Sequence, residues 1–197
     1  MKVMAVLTGL VVALSLGATT PSYAAKHVLI SGSGVGPYKM GTTGAKAVHS
    51  KLYTKPRKVK GCPIFPPTIK SKAARKSIGV DWSGKTWTKK SKINRIYVFG
   101  KKVGKAPIRT KHGAGVGTKV TALKKLVKHL KANSHLGKWV PVLSKRSGKH
   151  WLNFVVNNYV KDHEITSWSK LGKRPVSMII IANKRLAKMP YGGAGGC

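Results

Sequence analysis

Three carboxylates, Asp81, Asp162 and Glu164, stand in this chain against 39 lysines and arginines, a formal net charge of +36. No fold can neutralise that imbalance internally. The cations must be spread over the surface, and apolar burial must hold the molecule together. The protein's own field lowers its stability and favours any state with anions bound. Solubility accounts for a modest net charge, and acids serve it better than lysines do. An excess this large points to an anionic partner. Only seven of the 39 cations are arginine. Arginine forks read phosphates and base edges in a directed way, whereas lysine acts as a mobile point charge. The composition therefore suits diffuse attraction to a polyanion better than coded recognition.

The same scarcity of acids removes most hydrolytic chemistry, which needs paired carboxylates or a nucleophile with histidine and an acid. Asp162 and Glu164 flank His163 in a segment that reads as a turn, and no nucleophile-elbow motif supports a site built on Asp81. His27, His49, His112, His129, His135, His150 and His163 are scattered without metal-ligand spacing. Gly32-Ser33-Gly34-Val35-Gly36 and Gly113-Ala114-Gly115-Val116-Gly117 lack phosphate-loop spacing. The second leads into a helix start, which can hold an anion, but turns before helices are the simpler reading. We expect a non-enzymatic protein with no cofactor and no metal.

The chain begins like an exported one. Lys2 gives a positive start, Val6 to Gly17 is an uncharged apolar run, and Ser22-Tyr23-Ala24 followed by Ala25 is a small-x-small cleavage pattern. The run is shorter than the ~20 apolar residues a membrane span needs. A signal peptide over residues 1–24 and a single basic domain over 25–197 are expected, secreted or associated with the cell envelope, with no transmembrane segment in the mature chain. Losing Lys2 takes the net charge from +36 to +35. Outside the cytoplasm, the pair Cys62 and Cys197 is expected to form a disulfide. Closing so long a loop stabilises by roughly 4 to 5 kcal/mol on the entropic account. Intermolecular pairing through the glycine-rich tail is the alternative.

Two passages look related. Met40-Gly41-Thr42-Thr43 precedes a short helical stretch, Ala45 to Leu52. Val116-Gly117-Thr118-Lys119 precedes a clearer one, Val120 to Ala132, whose apolar stripe of Val120, Leu123, Leu126, Val127 and Leu130 has helical period. In each, a Gly and a Thr stand where a turn and a cap are needed. Ile93 to Lys101 aligns with Ile165 to Lys173. Strands are expected at Ile78–Ser83, Ile93–Phe99, Trp139–Leu143, Trp151–Tyr159, Glu164–Ser169 and Val176–Ala182. Turns at Thr86–Ser91 and Lys161-Asp162-His163 would join them as hairpins. The expected class is α+β: an antiparallel sheet with helices on one face, in two tandem helix-plus-hairpin units over 32–100 and 113–172. A Gly-Thr turn opening a helix, then a hairpin, twice over, resembles the secreted β-lactamase-inhibitor proteins and the related outer-membrane-assembly lipoprotein domain. That resemblance implies fold, export and a protein-binding role; no inhibitory residue carries over.

The densest cationic stretch is Lys55, Arg57, Lys58 and Lys60, continued by Lys70, Lys72, Arg75 and Lys76. It reads as a polyanion-binding patch, or more plainly as a solvated loop. Lys124, Lys125 and Lys128 lie on the polar side of the expected helix from Val120. Such a helix can lie on an anionic membrane, though in a domain of this size it packs on a sheet. Trp82, Trp87, Trp139, Trp151 and Trp168 are candidates for stacking on sugars or bases, with burial in the core favoured. The function expected is binding of an anionic polymer or surface: an envelope polymer, acidic glycan, anionic lipid or nucleic acid. The alternative is a secreted inhibitor or assembly module that binds an acidic protein.

Overall fold

The computed structural model describes residues 27–132, 141–157, 159–160, 163–164 and 170–186. The expected leader, residues 165–169 and Cys197 lie outside them. Strands predominate, in two main sheets with three short helices among the described residues. The larger sheet contains β4 (Ile78–Trp82), β5 (Ile93–Val98), β8 (Lys131–Ala132), β9 (Val142–Ser147), β10 (His150–Val156) and β13 (Val176–Ala182). Its order is β4-β5-β13-β10-β9-β8, antiparallel throughout. β13 holds the centre because both of its faces are apolar. Ile179 and Ile181 join the main core, while Ile180 packs with Val142 and Val155 on the opposite face. Alternate residues of a strand point to opposite faces, so an unbroken isoleucine run suits a strand covered on both sides.

The smaller sheet is built from β1 (Val28–Ser31), β2 (Gly34–Val35), β3 (Tyr38–Lys39), β6 (Lys102–Val103) and β7 (Ala106–Thr110). β1 and β7 pair in parallel, the one departure from antiparallel pairing among the described ladders. The two sheets meet where Gly32 donates its N–H to Ser147 Oγ at 3.0 Å. A Cβ at Gly32 would sit 1.9 Å from the Ser147 carbonyl oxygen, so only glycine allows this approach.

The helices are α1 (Gly44–His49), α2 (Lys72–Arg75) and α3 (Val120–Leu126). Thr43 caps α1, accepting the N–H of Lys46 at 3.3 Å. α3 corrects an expectation: the chain leaves helical geometry at Val127, His129 takes a φ of 57°, and Lys131–Ala132 becomes the edge strand β8. Lys124 and Lys128 would repel at i,i+4 with no acid nearby to offset them. Val127 reaches 6 % exposure from extended backbone, so it joins Val120 and Leu123 in the core without a longer helix, while Leu126 stays exposed.

The chain enters both longer helices in the same way. Gly41 (φ 75°) donates to Ile93 O at 2.8 Å and Ile93 donates to Thr42 O at 3.0 Å. Gly117 (φ 87°) donates to Val176 O at 2.8 Å and Val176 donates to Thr118 O at 2.9 Å. The ladders match as well. β4 shifts register against β5 between Asp81 and Trp82, and β10 shifts against β13 between Val155 and Val156. Where β5 meets β13, Ile96↔Ile181 and Val98↔Ile179 lie on either side of Tyr97↔Ile180. Val176 thus has the hydrogen bonds that Ile93 has, whereas Ile165, with which Ile93 aligns in the sequence, lies outside the described residues. Leu171, Gly172 and Lys173 form a turn.

The β4–β5 hairpin and β13 occur where the sequence places them. β9 begins at Val142, and residues 139–140 of the strand expected at Trp139–Leu143 lie outside the described set. β11 (Tyr159–Val160) pairs with β12 (His163–Glu164), so His163, expected in a turn, stands in a strand, while residues 161–162 lie outside the described set.

Candidate anion-binding surface

The dense basic stretch lies on an ordered excursion, not a loose loop. Lys70 donates to Leu52 O and Thr54 donates to Thr68 O, both at 2.8 Å. Arg57 and Phe65 exchange backbone hydrogen bonds at 3.1 and 2.8 Å. Tyr53 and Ile69, at 5 % and 2 % exposure, root the excursion in the core. Trp82 Nε1 holds its returning limb by donating to Pro67 O at 2.9 Å. Lys55, Arg57, Lys58 and Lys60 are exposed along it. The Arg57 guanidinium lies 5.2 Å from the Phe65 ring centre, a distance at which the ring face attracts a cation.

Lys70, Lys72, Arg75 and Lys76 are exposed at the base, on and around α2. Ser71 caps that turn and Ala74 anchors it. Lys72 and Lys76 share a shallow depression of about 590 Å³ with Lys102. Sequence reading missed Lys102 because it arrives from β6.

Lys124, Lys125 and Lys128 are exposed at the end of α3. Lys125 and Lys128 line a cleft of about 510 Å³ with Lys111, Lys145 and Arg146. Those last three come from other elements, and nothing in their spacing links them to α3. The cleft is backed by Ile30, Leu152 and Phe154, and Leu29 and Leu126 also line it. Leu29 and Leu126 are 49 % and 39 % exposed.

Asp81, whose side chain is described, is engaged. Tyr97 Oη donates to Asp81 Oδ2. Burial, then the bond to Asp81, raises the Tyr97 pKa. Arg95 stands beside this pair, its own pKa raised foremost by its hydrogen bond with Tyr97. Asp81 and Arg95 border a cleft of about 470 Å³ with Trp82, Trp87 and Phe65. The aromatic residues belong mainly to the interior. Tyr38, Tyr53, Trp82 and Trp87 form a chain of edge-to-face contacts with ring centres 6.0, 6.1 and 6.3 Å apart. Trp151 lies under Arg146 at 6.0 Å. Trp139 and Trp168 lie outside the described residues.

The second glycine-rich run is taken up internally, since Gly115 N–H donates to Thr118 Oγ1 at 3.0 Å. Among the described residues no three of His, Cys, Asp and Glu come together as metal ligands, and no helix is long and apolar enough to cross a membrane. Cys62 is half-buried at the tip of the basic excursion, beyond Gly61 (φ 79°). Comparison with protein-family models, with characterised proteins and with solved structures returned no match. The likeness to the inhibitors rests on the quoted residues alone.

Proposed function

We propose that this is an exported, non-enzymatic protein that binds an anionic polymer at or outside the cell envelope through its lysine-rich surface. The observation that carries the reading is the exposure of all eleven candidate cations, from Lys55 to Lys128, with the basic excursion held by backbone hydrogen bonds at Thr54, Arg57, Phe65 and Lys70. An ordered cationic ladder loses less conformational freedom on binding than a loose loop would. Cys62 and Cys197 bridge within one chain in this reading. We also read the matched turns and register shifts as two tandem units, α1 with β4–β5 and α3 with β10–β13. Their helices cover one face of the sheet: Ala47, Val120 and Leu123 share the core cluster of Ile96 and Ile179.

The test is retention on DNA, an acidic glycan, a wall polymer and anionic vesicles across a salt series. Binding by ion release weakens linearly in log salt, with a slope set by the number of contacts. Replacing Lys55, Arg57, Lys58 and Lys60 by glutamine should flatten that slope by about one per lost contact. Retention that is unchanged from low to high salt refutes the reading. A stoichiometric complex with one acidic protein, persisting at moderate salt, favours the inhibitor alternative.

A further inference from the structure

The cleft between the two sheets and the end of α3 differs in kind from the rest of the basic surface. On the basic excursion Lys55, Lys58 and Lys60 project into water. Here the cations stand around an apolar recess. Ile30, Leu152 and Phe154 back it, and the half-exposed Leu29 and Leu126 line it. Lys111, Lys125, Lys128, Lys145 and Arg146 also line it, drawn from three separate stretches of chain. The lining includes no carboxylate. Its volume of about 510 Å³ lies within the usual range for small-ligand sites, roughly 300–1,000 Å³. A polymer of fixed negative charge has no use for the apolar floor, and a neutral apolar ligand has none for the five cations.

We propose that this cleft binds a single-chain anionic amphiphile, with its acyl or alkyl chain against Leu29 and Leu126, over the buried Ile30, Leu152 and Phe154, and its phosphate or carboxylate head among the cations. Charge complementarity selects the occupant. Head and tail have separate, adjoining places, and a ligand with both satisfies the cleft where either alone does not. The recess is preformed. The Gly32–Ser147 hydrogen bond pins β1 against the end of β9, so the walls need not close around the chain. The site lies apart from the basic excursion at Lys55 to Lys60, and it shares only Lys125 and Lys128 with the cations of the polymer reading.

The test uses isothermal titration with alkyl phosphates below their micelle concentration, on the full oxidised chain. Decyl phosphate should bind with a stoichiometry of one. Dodecyl phosphate should bind more tightly, by up to about fourfold per added methylene. Decyl maltoside, which has the chain without the charge, and inorganic phosphate, which has the charge without the chain, should each be at least tenfold weaker. Leu29→Gln with Leu126→Gln, both at exposed positions, should weaken decyl phosphate about tenfold and leave salt-dependent retention on polyanions unchanged. Lys55→Gln should do nothing to decyl phosphate.

Several outcomes overturn the proposal: no binding, several equivalents bound per chain, equal affinity for inorganic phosphate or for decyl maltoside, or full affinity in the double variant. Because the double variant keeps every cation, failure here is distinguishable from failure of polymer binding.

Discussion

Tyr53 is 5 % exposed, and its hydroxyl has no hydrogen-bond partner among the described residues. Burial, and secondarily Tyr38, push its pKa up to about 12. A buried hydroxyl left unpaired costs about 1–3 kcal/mol, so Tyr53→Phe should raise stability by about 1 kcal/mol in urea unfolding at neutral pH. The pH dependence has a definite sign. The folded pKa of about 12 lies above the ordinary value of 10.0, so the folded state binds the proton more tightly. That contribution is complete below pH 10 and is lost as pH rises through about 12. The advantage of Tyr53→Phe should therefore widen between pH 9 and pH 11.5, and a constant difference would contradict the assigned burial. None of this was legible in the sequence. Tyr53 reads there as one more residue before the basic stretch, and its burial depends on a bridge to Ile69, sixteen positions on.

Among the elements, those with a clear period and a β-branched run were legible. Val176–Ala182 matches β13 end to end, and the β4–β5 hairpin falls on its expected strands. The two-residue strands of the smaller sheet were not, because they are too short for any period, and Pro107 in β7 reads against a strand. The helix from Val120 was read too long, because periodicity counts buried positions without asking whether helix or extended chain buries them. The basic excursion was legible as a charge run, though not as a ladder. Its hold on the sheet includes one testable bond. Trp82→Phe keeps the ring and deletes the donor to Pro67 O. It should cost about 1–2 kcal/mol and speed hydrogen exchange at the Thr54, Arg57 and Phe65 amides, with those of β13 unaffected.

At the scale of the molecule, the sequence shows the charge and the structure shows where it gathers. The cationic cleft was invisible in the sequence because Leu29, Lys111, Lys125 and Arg146 meet only when the two sheets close. The overall excess should govern stability. Self-repulsion among the cations is relieved by bound or screening anions, so Tm should climb as salt is added from near zero to physiological strength. Multivalent anions should act at lower concentration than chloride. For a domain of this size, each kcal/mol of relieved repulsion is worth about 2–4 °C. A Tm indifferent to phosphate would mean that the lysines are too dispersed to hold an anion.

A chain with 39 lysines and arginines offers a trypsin-like protease a target at almost every exposed turn. Lys105 is one of them, exposed beside Gly104 (φ 58°) between β6 and β7. A cut there divides the molecule into two lengths that share three of the described ladders, β6 with β7, β1 with β7 and β5 with β13. The lengths should stay docked after the peptide bond is gone. A protein nicked at Lys105 should run as two fragments on a denaturing gel and elute as one particle under native conditions. The pairing about Tyr97 and Ile180 should thus let the molecule outlast limited digestion.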